Sequence, residues 1–195
     1  LENIKIQTNI IEISWLQGVK RLLFLGSSCI YPKFSEQPIR EESLLSGYLE
    51  TTNEWYAIAK ISGIKLCEAL RIQYKFDAIS LMPTNLYGTG DNYDPQNSHV
   101  MPALIKRFCE AVKNSDNIVT CWGSGSPLRE FLHVDDLAEA VIFALKEWDP
   151  SLSDSPRDSN NKELSFLNVG TGIDISIKGL ANLIAEEVGF KGEIV

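Results

Sequence analysis

No two cysteines in this sequence are spaced to grip a metal. The four, Cys29, Cys67, Cys109 and Cys121, form neither a Cys-x-x-Cys pair nor a zinc pattern, and Cys67 and Cys109 fall inside helix-like runs. That excludes a zinc-stapled or disulfide-framed module and fits a reduced, cytoplasmic setting. Basic residues are also short: 18 Lys and Arg against 26 Asp and Glu give a formal net charge of −8. A nucleic-acid partner calls for a clustered basic surface, so none is expected. A few local arginines still suffice for one anionic ligand. No apolar run reaches the roughly 18 residues of a membrane span, so no membrane partner is expected either. There is no initiator Met, and "LENIKIQTNIIEISWLQG" reads as a helix already under way. The expectation is a fragment whose N-terminal part is missing. No Gly-x-Gly-x-x-Gly follows a first strand; "GTGD" (88–91) and "GSGSP" (123–127) contain Gly-x-Gly but read as turns.

What is present is ordinary globular composition: 195 residues, 44% hydrophobic and 23% charged. Apolar spacing predicts helices over 3–17, 54–75, 99–113, 133–148 and 176–189. Short apolar runs predict strands over 19–25, 76–82, 117–123 and 164–170. Residues 32–53, 84–98 and 149–163 are rich in Pro, Gly, Asn, Asp, Ser or Glu and read as loops. Strands alternating with helices imply an α/β protein with a mainly parallel sheet. In such sheets ligands bind at the carboxyl ends of strands, which places 26–31, 83–88 and 170–172 where a crevice would form.

The stretch "RLLFLGSSCIYP" (21–32) is a core-strand pattern that runs into hydroxyls and a thiol. Cys29 there is either a small buried hydrophobe or a reactive group held at a strand tip. Tyr56 and Lys60 are four apart in the 54–75 helix, so they share a face. An ammonium beside a phenol favours the phenolate and lowers the Tyr pKa from about 10 toward neutrality. Such a pair also arises by chance in many helices. Ser27, 29 residues before Tyr56 and at a strand tip, gives it weight.

Ser27, then Tyr56-x-x-x-Lys60, resembles the working set of the short-chain dehydrogenase/reductase superfamily. "PTNLYG" (83–88), "REFLHVDDLAEA" (129–140) and "NVGTG" (168–172) resemble its extended, nucleotide-sugar branch. "FLGSSCIYPK" (24–33), "YAIAKISGIKLCE" (56–68), "NSHVMPALIKRF" (97–108) and "WGSGSPLREFLHVDD" (122–136) are similar to the GDP-L-fucose synthase family within that branch. The resemblance implies a Rossmann-like, doubly wound parallel sheet lacking its N-terminal half, with an interleaved smaller substrate-binding domain. The boundaries are 1–84 with 131–170 for the partial dinucleotide-binding domain, and 85–130 with 171–195 for the partial substrate-binding domain.

It also implies NADP-dependent 3,5-epimerisation and 4-reduction of GDP-4-keto-6-deoxy-D-mannose. Ser27 would orient the carbonyl, Tyr56 transfer a proton, and Lys60 tune Tyr56 and hold the nicotinamide ribose. Cys29 would act as base and His99 as acid. Leu25, Gly26, Ser27, Ser28, Tyr56, Lys60, Pro83, Thr84, Asn85, Leu86 and His99 would hold NADP(H). Asn85, Arg107, Trp122 and Arg129 would hold the GDP-sugar, the arginines by bidentate contact with the diphosphate. No metal is implied. A homodimer through the 54–75 helix is implied, and the apolar breadth of that helix fits.

Plainer readings stand beside these. His99 would cap the following helix, Asn85 stabilise its loop, Arg107 sit on a solvated helix face and Trp122 pack in the core. His133, Asp135 and Asp136 read as structural. Competing functions are another extended nucleotide-sugar epimerase or dehydratase, or a catalytically incomplete fragment that keeps only fold and dimer contacts.

Overall fold

The computed structural model describes residues 1–94 and 96–195, and the chain divides into two compact units. The first comprises Leu1–Thr84 and Asp135–Val169, the second Asn85–Val134 and Gly170–Val195.

In the first unit, helix α1 (Glu2–Leu16) leads through Gly18 into strand β1 (Arg21–Leu25). A short 3-10 turn (Ser28–Ile30) follows, then a long loop with a second such turn (Glu41–Ser43). Helix α2 (Glu54–Tyr74), strand β2 (Asp77–Pro83), helix α4 (Val134–Glu147) and strand β6 (Phe166–Val169) complete it, α4 from Asp135 onward. The three strands are parallel in the order β1–β2–β6. Alternate side chains serve opposite faces, as a pleated strand requires. Leu22 and Ala78 pack with Ile11, Cys67, Leu70 and Phe76 beneath α1 and α2. Leu23, Ile79, Leu81, Leu167 and Val169 pack with Val141, Ala144 and Trp148 around α4. β1 pairs with one neighbour among the described residues, so its apolar run is half-buried rather than enclosed.

Helix α2 lies close on β1 because residue 63 has no side chain: a Cβ there would fall 2.5 Å from the Phe24 ring. Gln7 of α1, itself buried, donates to the Ala59 carbonyl and to Ser62 Oγ, locking the two helices in register. At the amino edge of the sheet, Arg21 Nε meets Asp77 Oδ2 at 2.5 Å. Its Nη atoms donate to Leu145 O at 2.8 Å and Trp148 O at 3.1 Å, carbonyls at the end of α4 that lack helical donors. Arg21→Ala should therefore lower stability by about 2–4 kcal/mol, since several charge-assisted bonds are lost together. Urea unfolding checks this; an unchanged midpoint would contradict it.

The second unit holds strand β3 (Asn85–Tyr87), helix α3 (Val100–Asn114), strands β4 (Ile118–Val119), β5 (Leu128–His133) and β7 (Asp174–Ser176), helix α5 (Ile177–Glu187) and strand β8 (Glu193–Ile194). β3 and β7 flank β5, parallel and antiparallel respectively, and β4 pairs with β8 in parallel. Its core joins Met101, Leu104 and Phe108 of α3 to Leu180, Ala181 and Ile184 of α5, with Phe108 edge-on to Phe190.

Three sequence readings are corrected. The 84–98 loop contains β3, which pairing with β5 creates despite the Pro83 before it. The 117–123 strand shrinks to Ile118–Val119, leaving Trp122 outside it. β5, β7 and β8, of six, three and two residues, were not among the predicted strands.

Candidate active site

The candidate groups of the first unit gather where β1 and β2 end. The Gly26 N–H donates to the Leu81 carbonyl at 2.9 Å, and a Cβ on Gly26 would fall 2.2 Å from Met82 Sδ. The chain can therefore press against β2 before it turns. Ser27 caps the 3-10 turn, its Oγ accepting from the Cys29 N–H at 3.4 Å. The Cys29 thiol donates to the same Oγ at 3.0 Å. Ile30, fully buried, anchors the turn, while Cys29 stays half-exposed. Cys67 is the contrast: burial pushes its thiol up to about 12, leaving it inert at neutral pH.

Tyr56 and Lys60 occupy one face of α2. The Lys60 ammonium donates to the Leu25 carbonyl at 2.9 Å and lies 5.1 Å over the Phe24 ring. Its distance to the Tyr56 ring centre is 5.7 Å. The expected lowering of the Tyr56 pKa by Lys60 is not found. Partial burial first, and Cys29 second, raise it above the ordinary tyrosine value, with the hydrogen-bonded Ser27 hydroxyl opposing them. Burial lowers the Lys60 pKa, against the pull of Cys29. The i, i+4 spacing places both residues on one face but leaves the ammonium free to choose the Leu25 carbonyl. Ser27, Cys29 and Tyr56 thus act on one another, with Lys60 one strand-end away.

Pro83 closes β2, and Thr84 continues its ladder by donating to the Val169 carbonyl at 3.1 Å. The Thr84 Oγ1 is buried and has no hydrogen-bond partner. An orphaned hydroxyl at the carboxyl end of β2, and an ammonium with three donors of which Leu25 at the end of β1 takes one, fit a polar ligand such as a nucleotide's ribose and amide.

The remaining candidates belong to the second unit. Asn85 and Leu86 lie on β3, exposed, with Asn85 Nδ2 donating to the Glu130 carbonyl at 2.9 Å. His99 stands at the N-cap of α3, but its side chain makes no capping bond there, contrary to the plain reading. Its carbonyl accepts from Ala103 N–H. Arg107 is no free solvated charge: it donates to the Thr120 carbonyl at 2.7 Å and stacks 5.1 Å over Trp122. Trp122 is 84% exposed, so the core-packing reading fails. Arg129 on β5 is exposed and donates to the Leu128 carbonyl. His133 packs edge-on against Tyr87. Among the described residues no group of three or more His, Cys, Asp or Glu side chains could hold a metal, and no helix is long and apolar enough to cross a membrane.

The sequence model of the NAD dependent epimerase/dehydratase family matches residues 1–156. The chain belongs to that family. It is 56% identical to GDP-L-fucose synthase 1 of Arabidopsis thaliana over 98% of its own length and 55% of the relative's. It is 52% identical to GDP-L-fucose synthase of Escherichia coli, covering 100% of itself and 59% of that protein. The chain thus spans little more than half the length of the curated relatives it matches. Among solved structures, a GDP-6-OMe-4-keto-L-xylo-heptose reductase from Campylobacter jejuni superposes with a TM-score of 0.88 at 36% identity, over 100% of this chain and 63% of the other. A GDP-L-fucose synthetase from Naegleria fowleri, bound to NADP, gives 0.82 at 27% identity, over 99% and 56%. The α/β architecture is accordingly Rossmann-like.

Sequence reasoning missed Phe24, which supports Lys60 from below, and the pair Tyr31–Asn168, which bonds at 2.5 Å. The available signals were a glycine at 63 opposite an aromatic strand residue, and an asparagine inside the apolar run "FLNV".

Proposed function

We propose that the protein carrying this sequence is an NADP(H)-dependent enzyme that epimerises GDP-4-keto-6-deoxy-D-mannose at C3 and C5 and reduces it at C4, giving GDP-L-fucose. The observation that carries this reading is the thiol of Cys29 held 3.0 Å from Ser27 Oγ, with both residues acting electrostatically on the Tyr56 phenol. Carbonyl reduction uses the Ser, the Tyr and the Lys; the added thiol equips the site for carbon acids. The strong likeness to GDP-L-fucose synthases of plant and bacterium supports the choice of substrate.

The C4 ketone acidifies the protons on C3 and C5. Cys29 removes a proton, and His99 returns one to the opposite face, leaving an isomer of the same composition. A thiol and an imidazole can each give and take a proton, which suits transfer in both directions. Ser27 and Tyr56 hydrogen-bond the enolate oxygen, where charge develops. NADPH, when bound, supplies the hydride for C4. Tyr56 then gives its proton to the oxygen, and its raised pKa keeps that proton available. Lys60 would hold the nicotinamide ribose, with Leu25, Gly26, Ser28 and Pro83–Leu86 lining the cofactor. Arg107, Trp122 and Arg129 would hold the GDP-sugar, the guanidinium groups meeting its diphosphate.

We take the first unit as the partial dinucleotide-binding domain and the second as the partial substrate-binding domain. Exposed Trp55, Ile58 and Ile72 on α2 support a homodimer through that helix. The four free thiols suit the cytoplasm. The test is to incubate the full-length protein with NADPH and GDP-4-keto-6-deoxy-D-mannose. GDP-L-fucose should form as NADPH absorbance falls. Turnover of a different nucleotide sugar, with no GDP-L-fucose, would replace this reading by another epimerase or dehydratase.

A further inference from the structure

We propose that Tyr31 and Asn168 are positioning residues for Cys29: their hydrogen bond fixes the far end of the turn that aims the thiol. This rests on the reading of Cys29 as the proton-abstracting base. The turn starts at Gly26, bonded to Leu81 of β2. It ends at Tyr31, whose N–H closes on the Ser28 carbonyl at 3.3 Å. The Tyr31 ring is buried, and its hydroxyl donates to Asn168 Oδ1 at 2.5 Å. Asn168 lies on β6, the strand beyond β2 in the order β1–β2–β6. The turn is therefore tied to the adjacent strand at one end and to the next strand at the other.

Asn168 is itself held in one orientation. Its backbone N–H donates to Glu41 Oε1 at 2.8 Å, and its Nδ2 donates to the Ile39 carbonyl at 3.0 Å. The amide oxygen is left for Tyr31. In register, Asn168 lies opposite Met82, whose thioether packs against Gly26. Both ends of the turn are thus referred to one level of the sheet. A phenol and an amide in this setting return little net stability over an apolar pair of the same shape. What they add is direction. Burial, and then the Glu41 carboxylate, push the Tyr31 phenol above the ordinary tyrosine range, so the hydroxyl remains a donor at neutral pH.

The full-length protein and its Tyr31→Phe, Asn168→Leu, double and Cys29→Ser variants provide the test. Three quantities are measured: solvent-deuterium incorporation at C3 of the substrate, NADPH oxidation with its KM, and the rate of Cys29 alkylation by iodoacetamide. A displacement near 1 Å costs on the order of 10²-fold in a positioned reaction, so the loss of one pin should lower deuterium incorporation by about tenfold. The alkylation rate of Cys29 should change as well, while the KM for NADPH stays within about twofold. The double variant should be no worse than the worse single one, because both remove one bond. Wild-type exchange and alkylation in Tyr31→Phe would overturn the proposal. So would an equal fall in exchange, reduction and melting temperature, the mark of a merely structural contact. Tyr31→Phe keeps its ring packing, so it decides the matter alone if Asn168→Leu does not fold. If Cys29→Ser still exchanges, the base reading fails and the alkylation rates judge the pin. If Cys29→Ser abolishes exchange while Tyr31→Phe changes nothing, the positioning proposal fails by itself.

Discussion

Tyr56→Phe is expected to slow reduction at C4 by about 10²–10⁴-fold, the usual worth of a positioned proton donor. The variant keeps the ring against α2 and removes only the hydroxyl, so the oxygen formed at C4 has no adjacent acid. The pH profile carries the same information with a defined sign. The protonated phenol is the competent form, and partial burial with the neighbouring Cys29 holds its pKa above the ordinary value. The reduction rate of the wild type should therefore stay level through neutral pH and fall only as pH rises past that raised pKa. Tyr56→Phe should be slow and lack that alkaline limb. Single-turnover NADPH oxidation across a pH series measures both. A variant as fast as the wild type would remove Tyr56 from the donor role.

Cys29→Ser should divide the two halves of the reaction. The new hydroxyl still reaches Ser27 and keeps the turn closed, yet a serine hydroxyl is far too weak an acid to cycle as a base near pH 7. Deuterium incorporation from solvent into C3 should drop by about 10²-fold or more, whereas hydride transfer, which uses Ser27 and Tyr56, should fall much less. Following isotope incorporation and NADPH oxidation in the same sample separates the steps. Undiminished incorporation would mean that another group removes the proton.

Much of the architecture was legible because it is written in local periodicity. The apolar spacing of α1, α2 and α4, and the runs that become β1, β2 and β6, need no distant partner to be recognised. The short strands were not legible: β3, β7 and β8 have two or three residues and exist only through pairing across the second unit. Trp122 was misread in its plain version because "VTCWG" continues a strand pattern that stops at Val119. At the site, spacing put Tyr56 and Lys60 on one face, but no spacing reveals which carbonyl an ammonium prefers. The Tyr31–Asn168 bond spans 137 positions, beyond any local signal.

The split of the first unit also orders events in time. Residues 85–134 are synthesised between β2 and the helix and strand that complete its unit. Until β6 emerges, Ser80–Pro83 of β2 present an unpaired ladder that only Phe166–Val169 will satisfy. Nascent chains of intermediate length therefore carry an adhesive edge of apolar residues, the kind of surface that chaperones shield. Any delay in completing the inserted stretch would prolong that exposure, so the yield of active protein should respond to substitutions that touch neither the thiol nor the phenol.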